Sequence, residues 1–379
     1  MSKRAAALSL VFLVTFAPLV SAENPISASS RARTAPPKVS ALARPQVEVA
    51  FVLDTTGSMS GLIEGAKRRI WSVARKIGEG QPRPDLRIAL VAYRDRGDLY
   101  VTQVHDFTPD MDAVYARLRS FEADGGGDTP EHVSAAMEDA VHKLSWSNGN
   151  GLRVIFLVGD APPHLDYQDG YHYARAVTAA RQKGIAVETI QCGADPQTAR
   201  FWQEIAGLGG GHYAQIDGSG GMPAMVTAQD AELLRLNREL ASTVVVGGTL
   251  SERKKTNEAL AARAAMPAAA AVEAAGYYAK APSQASHDLV DKPEAEQRQE
   301  LSGLVGRADA PKEIQGKTDA QALAYLKLQK ERRVQIQKRI DTLQKERDAQ
   351  LAQAGAKDAF DEKVVQSLKD RAAAEGVKY

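Results

Sequence analysis

Asp54, Thr56 and Ser58 stand at alternate positions directly after the apolar run Phe51-Val52-Leu53. One carboxylate followed by two hydroxyls, all turned toward one point, makes a small cradle of hard oxygens, the donor set that Mg²⁺ prefers. Two later segments carry related chemistry: Gly125-Gly126-Gly127-Asp128-Thr129-Pro130-Glu131, and Asp160 after Val158-Gly159. Mg²⁺ takes near-octahedral oxygen ligation and keeps some water, so a cradle of few carboxylates and several hydroxyls leaves a position for an outside ligand. The chemistry these residues can do is therefore metal-centred binding, with Mg²⁺, or Mn²⁺ or Ca²⁺, as the ion.

Such residues converge only if the elements before them end at one edge. Short apolar runs alternate with helical patterns along the chain. Strands are expected at Val47 to Leu53, Leu86 to Tyr93, Tyr100 to Val104, Val154 to Val158, Ile185 to Cys192 and His212 to Ile216. Between them, Leu62, Ile63, Ala66, Ile70, Val73 and Ile77 recur on one helical face. Further helices are expected at Met111 to Phe121, Pro130 to Leu144, Tyr171 to Gln182, Pro196 to Ala206 and Ala228 to Leu240. Strands without alternation, separated by amphipathic helices, imply an α/β fold with a doubly wound, mainly parallel sheet covered on both faces. Ligands of such sheets sit beyond the carboxyl ends of the central strands, where Asp54 and Asp160 would lie.

The pattern Asp-x-[Ser/Thr]-x-Ser after a buried strand resembles the metal-ion-dependent adhesion site of von Willebrand factor type A domains. The resemblance covers about Gln46 to Asp217 and implies that Asp54, Thr56, Ser58 and Asp160 ligate the metal, directly or through water. It also implies that a partner's acidic side chain completes the shell. The middle loop departs from the common family pattern, in which a Thr follows the glycines; here Asp128 and Thr129 compete for that role. Asp-Thr-Pro-Glu resembles the variant of integrin beta-subunit domains, which implies Glu131 as a ligand and Asp128 as a ligand of an adjacent ion. The same loop could instead cap a helix whose first turn holds Pro130 and Glu131. The wording Asp-Ala-Pro-Pro-His and Gly-Gly-Gly-Asp-x-Pro-Glu also looks like type A domains attached to alpha-kinases.

Composition narrows the partners. A formal net charge of +1 over 379 residues gives no case for nucleic acid or an anionic membrane. Lys3 and Arg4 precede an apolar run ending in Val20-Ser21-Ala22, which reads as a signal peptide over 1–22, cleaved before Glu23, with no lipobox Cys. A flexible tether is expected over 23–45, and a periplasmic, secreted or cell-surface location follows. The single Cys192 excludes an internal disulfide and reads as core packing. His164, with Asp166 and Asp169, reads as a polar rim that could add a ligand. Arg96-Gly97-Asp98 spells an integrin-recognition tripeptide, but Tyr93-Arg94-Asp95-Arg96-Gly97-Asp98 reads as a charged turn after a strand.

The type A domain is expected over 46–245, followed by an Ala-rich linker with partial helix over 246–318. Residues 319–379 read as a helical or coiled-coil region whose narrow stripe, Leu326, Ile336, Ile340, Leu343 and Leu351, is interrupted by Gln329, Arg333 and Arg347. A helical hairpin with Phe360 to Leu368 and a homodimer through this helix are both compatible with that stripe. No kinase domain follows Gly248, no Walker-type phosphate loop occurs, and Ser58 has no paired His and acid, so the chain is read as a non-enzyme. The expected function is exported, metal-dependent binding of a protein or other acidic ligand; assembly through the C-terminal helices is the alternative, with a Mg²⁺-dependent enzyme behind it.

Overall fold

Val49, Phe51 and Leu53 face one side of strand β1 (Gln46–Asp54), while Ala50 and Val52 face the other, and all five are buried. A strand apolar on both faces must lie inside a sheet with helices on each side. The computed structural model describes residues 44–379 apart from 150, 219–224, 355–358, 375–376 and 379. The expected signal peptide and most of the tether therefore lie outside the described residues.

The sheet contains β1, β2 (Asp85–Tyr93), β3 (Thr102–Thr108), β4 (Gly151–Gly159), β5 (Ala186–Cys192) and β6 (Gly210–Ile216), in the order β3-β2-β1-β4-β5-β6. All neighbours are parallel except β2 and β3. Asp54 pairs with Tyr93 and Leu53 with Val158, so β1, β2 and β4 end side by side. The strand order reverses at β1, which has β2 on one side and β4 on the other, and the chain leaves β1 and β4 toward opposite faces of the sheet, which opens a crevice at that edge.

Two cores sandwich the sheet. Helices α3 (Val133–His142), α4 (Tyr173–Gln182) and α5 (Pro196–Leu208) cover one face through Met137, Val177 and Trp202. The other face is covered by α1 (Ser60–Ile77), α2 (Met111–Arg119) and α6 (Asp230–Ala241), and Cys192 is buried in that core, where burial pushes its thiol well above the usual range.

The Ala-rich stretch differs from the expected linker. Residues 250–280 form α7 (Leu250–Ala264) and α8 (Ala268–Lys280), and α8 is buried against α1 and α6. Its small side chains let it approach closely. Trp71 of α1 packs on Tyr277 and Tyr278 with ring centroids 5.4 and 5.3 Å apart, and a Cβ on Gly276 would lie 2.8 Å from Arg75 Cδ. Little apolar area per residue was needed because the backbones come near each other.

A short helix, α9 (Glu294–Leu304), leads to the long α10 (Asp319–Gln353), and α11 (Ala359–Ala374) ends the helical part. The stripe of α10 is turned inward, onto α6, α8 and α9, rather than outward as a free coiled-coil seam. Its polar members are the reason the stripe looked broken in the sequence. Arg333 pairs with Asp288 at 2.8 Å and with Asp291; Arg347 pairs with Asp230 and Glu273, each at 2.9 Å. With its stripe buried within its own chain, α10 does not present that seam to a second copy. Residue Arg371 of α11 reaches under the sheet to Glu188 and the Gly210 carbonyl.

Candidate metal centre

Asp54 is the last residue of β1 and is fully buried, and its two oxygens differ. Oδ1 accepts from the Thr56 amide at 2.9 Å and from the Thr56 hydroxyl at 2.6 Å; Oδ2 is buried with no hydrogen-bond partner. The chain then turns through a 3-10 segment, Gly57–Met59, into α1, and this turn brings Ser58 Oγ within 3.3 Å of Thr56 Oγ1. Ser58 also donates to Asp160, which follows the last residue of β4. Sequence and register thus bring Asp54, Thr56, Ser58 and Asp160 to one spot.

Glu131 joins them from the middle loop, between the Asp54 and Asp160 segments in sequence. Its backbone amide donates to the Pro162 carbonyl at 2.9 Å, and its carbonyl accepts from the His164 amide at 3.1 Å, so the loop is laced to the segment after β4. The side chain is buried and Oε2 has no hydrogen-bond partner. Gly126, with φ +79°, lets the glycine loop pass between Thr56 and Glu131: a Cβ there would lie 3.1 Å from Thr56 Cβ and 3.2 Å from Glu131 Oε1.

The electrostatics are those of an anionic pocket short of positive charge. Burial pushes Asp54 up to about 7, against the help of its Thr56 hydrogen bonds. Burial, followed by the charges of Asp54, Asp95, Asp98 and Asp160, pushes Glu131 up to about 9. Asp160 is also raised by burial. A bound divalent cation reverses this local balance, because it favours the ionised form of every carboxylate around it. Two buried carboxylate oxygens without partners, on different loops, flanked by two hydroxyls, fit the all-oxygen donor set of Mg²⁺.

Asp128 is not part of this cradle. Its side chain is 62 % exposed and its Oδ2 lies 3.7 Å from His164 Nε2. Thr129, its competitor in the loop, is exposed as well. Neither caps a helix, since α3 begins at Val133 and His132 is its cap, accepting from the Ala135 amide. The expected helical start at Pro130 is displaced because Glu131 is held instead by a bridge to the segment after β4.

The residues that the sequence reading passed over lie after β2. Asp95 and Asp98 belong to the stretch read as a charged turn, and register places that turn beside Asp54. Asp98 accepts from the Gly126 and Asp95 amides, while Arg96 pairs with Asp169, so the Arg-Gly-Asp tripeptide is engaged within the chain. Two acids just past a strand that neighbours β1 was the available signal. Arg94 fixes the base of this edge, donating to the Thr55 and Glu122 carbonyls and stacking 4.6 Å over Tyr100.

Residues 48–217 match the family model of the von Willebrand factor A domain, and this segment of the chain is such a domain. Domains of this kind are generally adhesion or interaction modules. The chain is 33 % identical over 159 residues to von Willebrand factor A domain-containing protein 7 of Rattus norvegicus, which covers 41 % of this chain and 16 % of that protein. It is 30 % identical over 120 residues to alpha-protein kinase vwkA of Dictyostelium discoideum, 31 % of this chain and 19 % of the kinase. The chain thus spans less than a fifth of the length of these curated relatives. Among solved structures it is similar to proximal thread matrix protein 1 from the mussel byssus, at 12 % identity and a TM-score of 0.36, covering 46 % of this chain and 42 % of that one.

Proposed function

We propose that this chain is an exported, metal-dependent binding module whose partner is a protein or other acidic ligand. The ion, Mg²⁺ or else Mn²⁺ or Ca²⁺, would be held by Asp54, Thr56, Ser58, Glu131 and Asp160. The observation that carries this reading is the pair of buried, unpartnered oxygens, Asp54 Oδ2 and Glu131 Oε2, beside two hydroxyls at the open edge of the sheet. A bound ion supplies an electrophilic position that a partner's carboxylate can fill.

The surrounding surface supports recognition of a macromolecule. Leu99, next to Asp98, is 86 % exposed, and Leu165, next to His164, is 62 % exposed. Large apolar side chains beside a charged anchor point are what a protein partner can cover. Ser58 lies within 3.3 Å of the Thr56 hydroxyl and donates to the Asp160 carboxylate, the contacts expected of a hydroxyl that belongs to an oxygen cradle.

The test is calorimetric titration of Mg²⁺, Mn²⁺ and Ca²⁺ into the purified chain, followed by capture of partners with and without chelator. Metal binding that disappears in Asp160→Ala, and partner capture lost in chelator, are the expected results. A partner retained equally in chelator would place the contact on another surface and overturn the proposal.

A further inference from the structure

His164 carries a nitrogen that the Asp54 cradle does not use. Its Nδ1 lies 2.8 Å from Asp166 Oδ1, and since a carboxylate only accepts, Nδ1 is the protonated, donating nitrogen. That leaves Nε2 pointing the other way, toward Asp95 Oδ2 at 3.5 Å and Asp128 Oδ2 at 3.7 Å. The His164 side chain is only 9 % exposed, Nε2 is buried, and it makes no hydrogen bond. Asp95 Oδ1 is likewise buried without one.

These separations are too long for a hydrogen bond and fit two donors on a shared ion. Ligands about 2.0–2.1 Å from a tetrahedral centre are about 3.3 Å from each other. One ligand atom from each of Asp95, Asp128 and His164 can be chosen so that all lie within 4.8 Å of one another. The three come from three loops, after β2, before α3 and after β4, so each is positioned by a different element of the same edge.

The surroundings are those that orient metal ligands. Asp166 fixes the His164 tautomer, the carboxylate–histidine arrangement found behind metal-bound imidazoles. Tyr167 stacks on the ring with centroids 4.1 Å apart and donates to Asp95 Oδ2 at 2.6 Å, so one residue holds two of the three donors.

We infer that Asp95, Asp128 and His164 form a second cation site, selective for a borderline first-row dication, with Zn²⁺ as the best match. An imidazole nitrogen favours such ions over Mg²⁺, and three protein ligands leave one exchangeable position. This site shares no ligand with the Asp54 cradle, although the Asp95 charge is felt by Glu131, and it does not need that cradle's function to be as proposed. The Glu131 backbone is bonded to Pro162 and His164, so the loop that carries Glu131 is tied to the one that carries His164.

Zn²⁺ titration, together with the visible absorption of bound Co²⁺, tests the inference on the full chain. The wild type and Asp54→Ala should both bind Zn²⁺ in the presence of millimolar Mg²⁺, and Co²⁺ should give the intense bands of a tetrahedral site. His164→Ala should lose this binding, and Asp166→Asn should weaken it about tenfold. Asp128→Asn keeps the test decisive if His164→Ala fails to fold, because Asp128 is largely exposed; it too should lose the tight Zn²⁺ step. Zn²⁺ affinity equal in wild type, His164→Ala and Asp128→Asn would overturn the inference, as would Zn²⁺ binding abolished by Asp54→Ala alone. No Zn²⁺ binding by the wild type would also overturn it.

Discussion

Replacing Asp54 by Asn separates a metal ligand from a structural carboxylate, because the two roles predict opposite changes in stability. Burial raises Asp54 from an ordinary 3.8 up to about 7. At 1.36 kcal/mol per tenfold change in proton affinity, keeping this fully buried group ionised above pH 7 costs on the order of 4 kcal/mol. The folded chain holds this proton where the unfolded chain has released it. In chelator, stability should therefore fall as pH rises from about 4 through 7, and Glu131, raised to about 9, extends the fall. Asn keeps the acceptor that Thr56 uses and removes the charge, but it places an amide donor where Oδ2 had no partner, at a cost of about 1–3 kcal/mol. Asp54→Asn should thus be about 1–3 kcal/mol more stable than wild type at pH 8 in chelator, with no such advantage at pH 4 to 5. Mg²⁺ at a hundred times its dissociation constant should add about 2.7 kcal/mol to the wild type and nothing to the variant. Urea titrations followed by circular dichroism, at both pH values with chelator or Mg²⁺, read all four quantities. A variant less stable than wild type at pH 8 in chelator would show that the Asp54 charge serves the fold, and equal stabilisation of both by Mg²⁺ would move the ion elsewhere.

Arg347→Ala should destabilise the whole chain by about 3 kcal/mol, because it removes the buried guanidinium that pairs with both Asp230 and Glu273 at 2.9 Å. Urea denaturation checks it; a loss below about 1 kcal/mol, the scale of an exposed pair, would mean that α10 is not integrated with the domain. Gly126→Ala should cost about 1–2 kcal/mol for its left-handed backbone and, by crowding Thr56 and Glu131, should weaken Mg²⁺ binding in calorimetry. Unchanged Mg²⁺ affinity in a folded Gly126→Ala would remove Glu131 from the ligand set.

Much of the sheet was legible because strand and helix identity are local. The apolar runs ending at Leu53 and Val158 and the helical period from Leu62 to Ile77 carry the alternation of elements, and alternation implies a parallel sheet. Asp54, Thr56 and Ser58 were legible for the same reason: a strand end and a tight turn place neighbours in sequence as neighbours in space. Asp160 followed from the edge to which a parallel strand delivers its last residue.

What depends on which loops touch was decided only by the tertiary structure. Glu131 reaches the cradle and Asp128 does not, because the backbone of this loop pairs with the segment after β4 and turns one acid inward and the other out. Asp95 and His164 are 69 positions apart and share no motif, yet two strands and Tyr167 bring them to 3.5 Å. The C-terminal helices teach the same point through packing. A row of alanines looks too poor in apolar surface to bury, and Arg333 and Arg347 look like breaks in a seam. Both readings change once α8 finds α1 close enough for small side chains and the arginines find Asp288, Asp230 and Glu273. Periodicity reports the face that an element buries; whether a small or charged residue on that face is covered depends on its neighbour, which only the folded chain supplies.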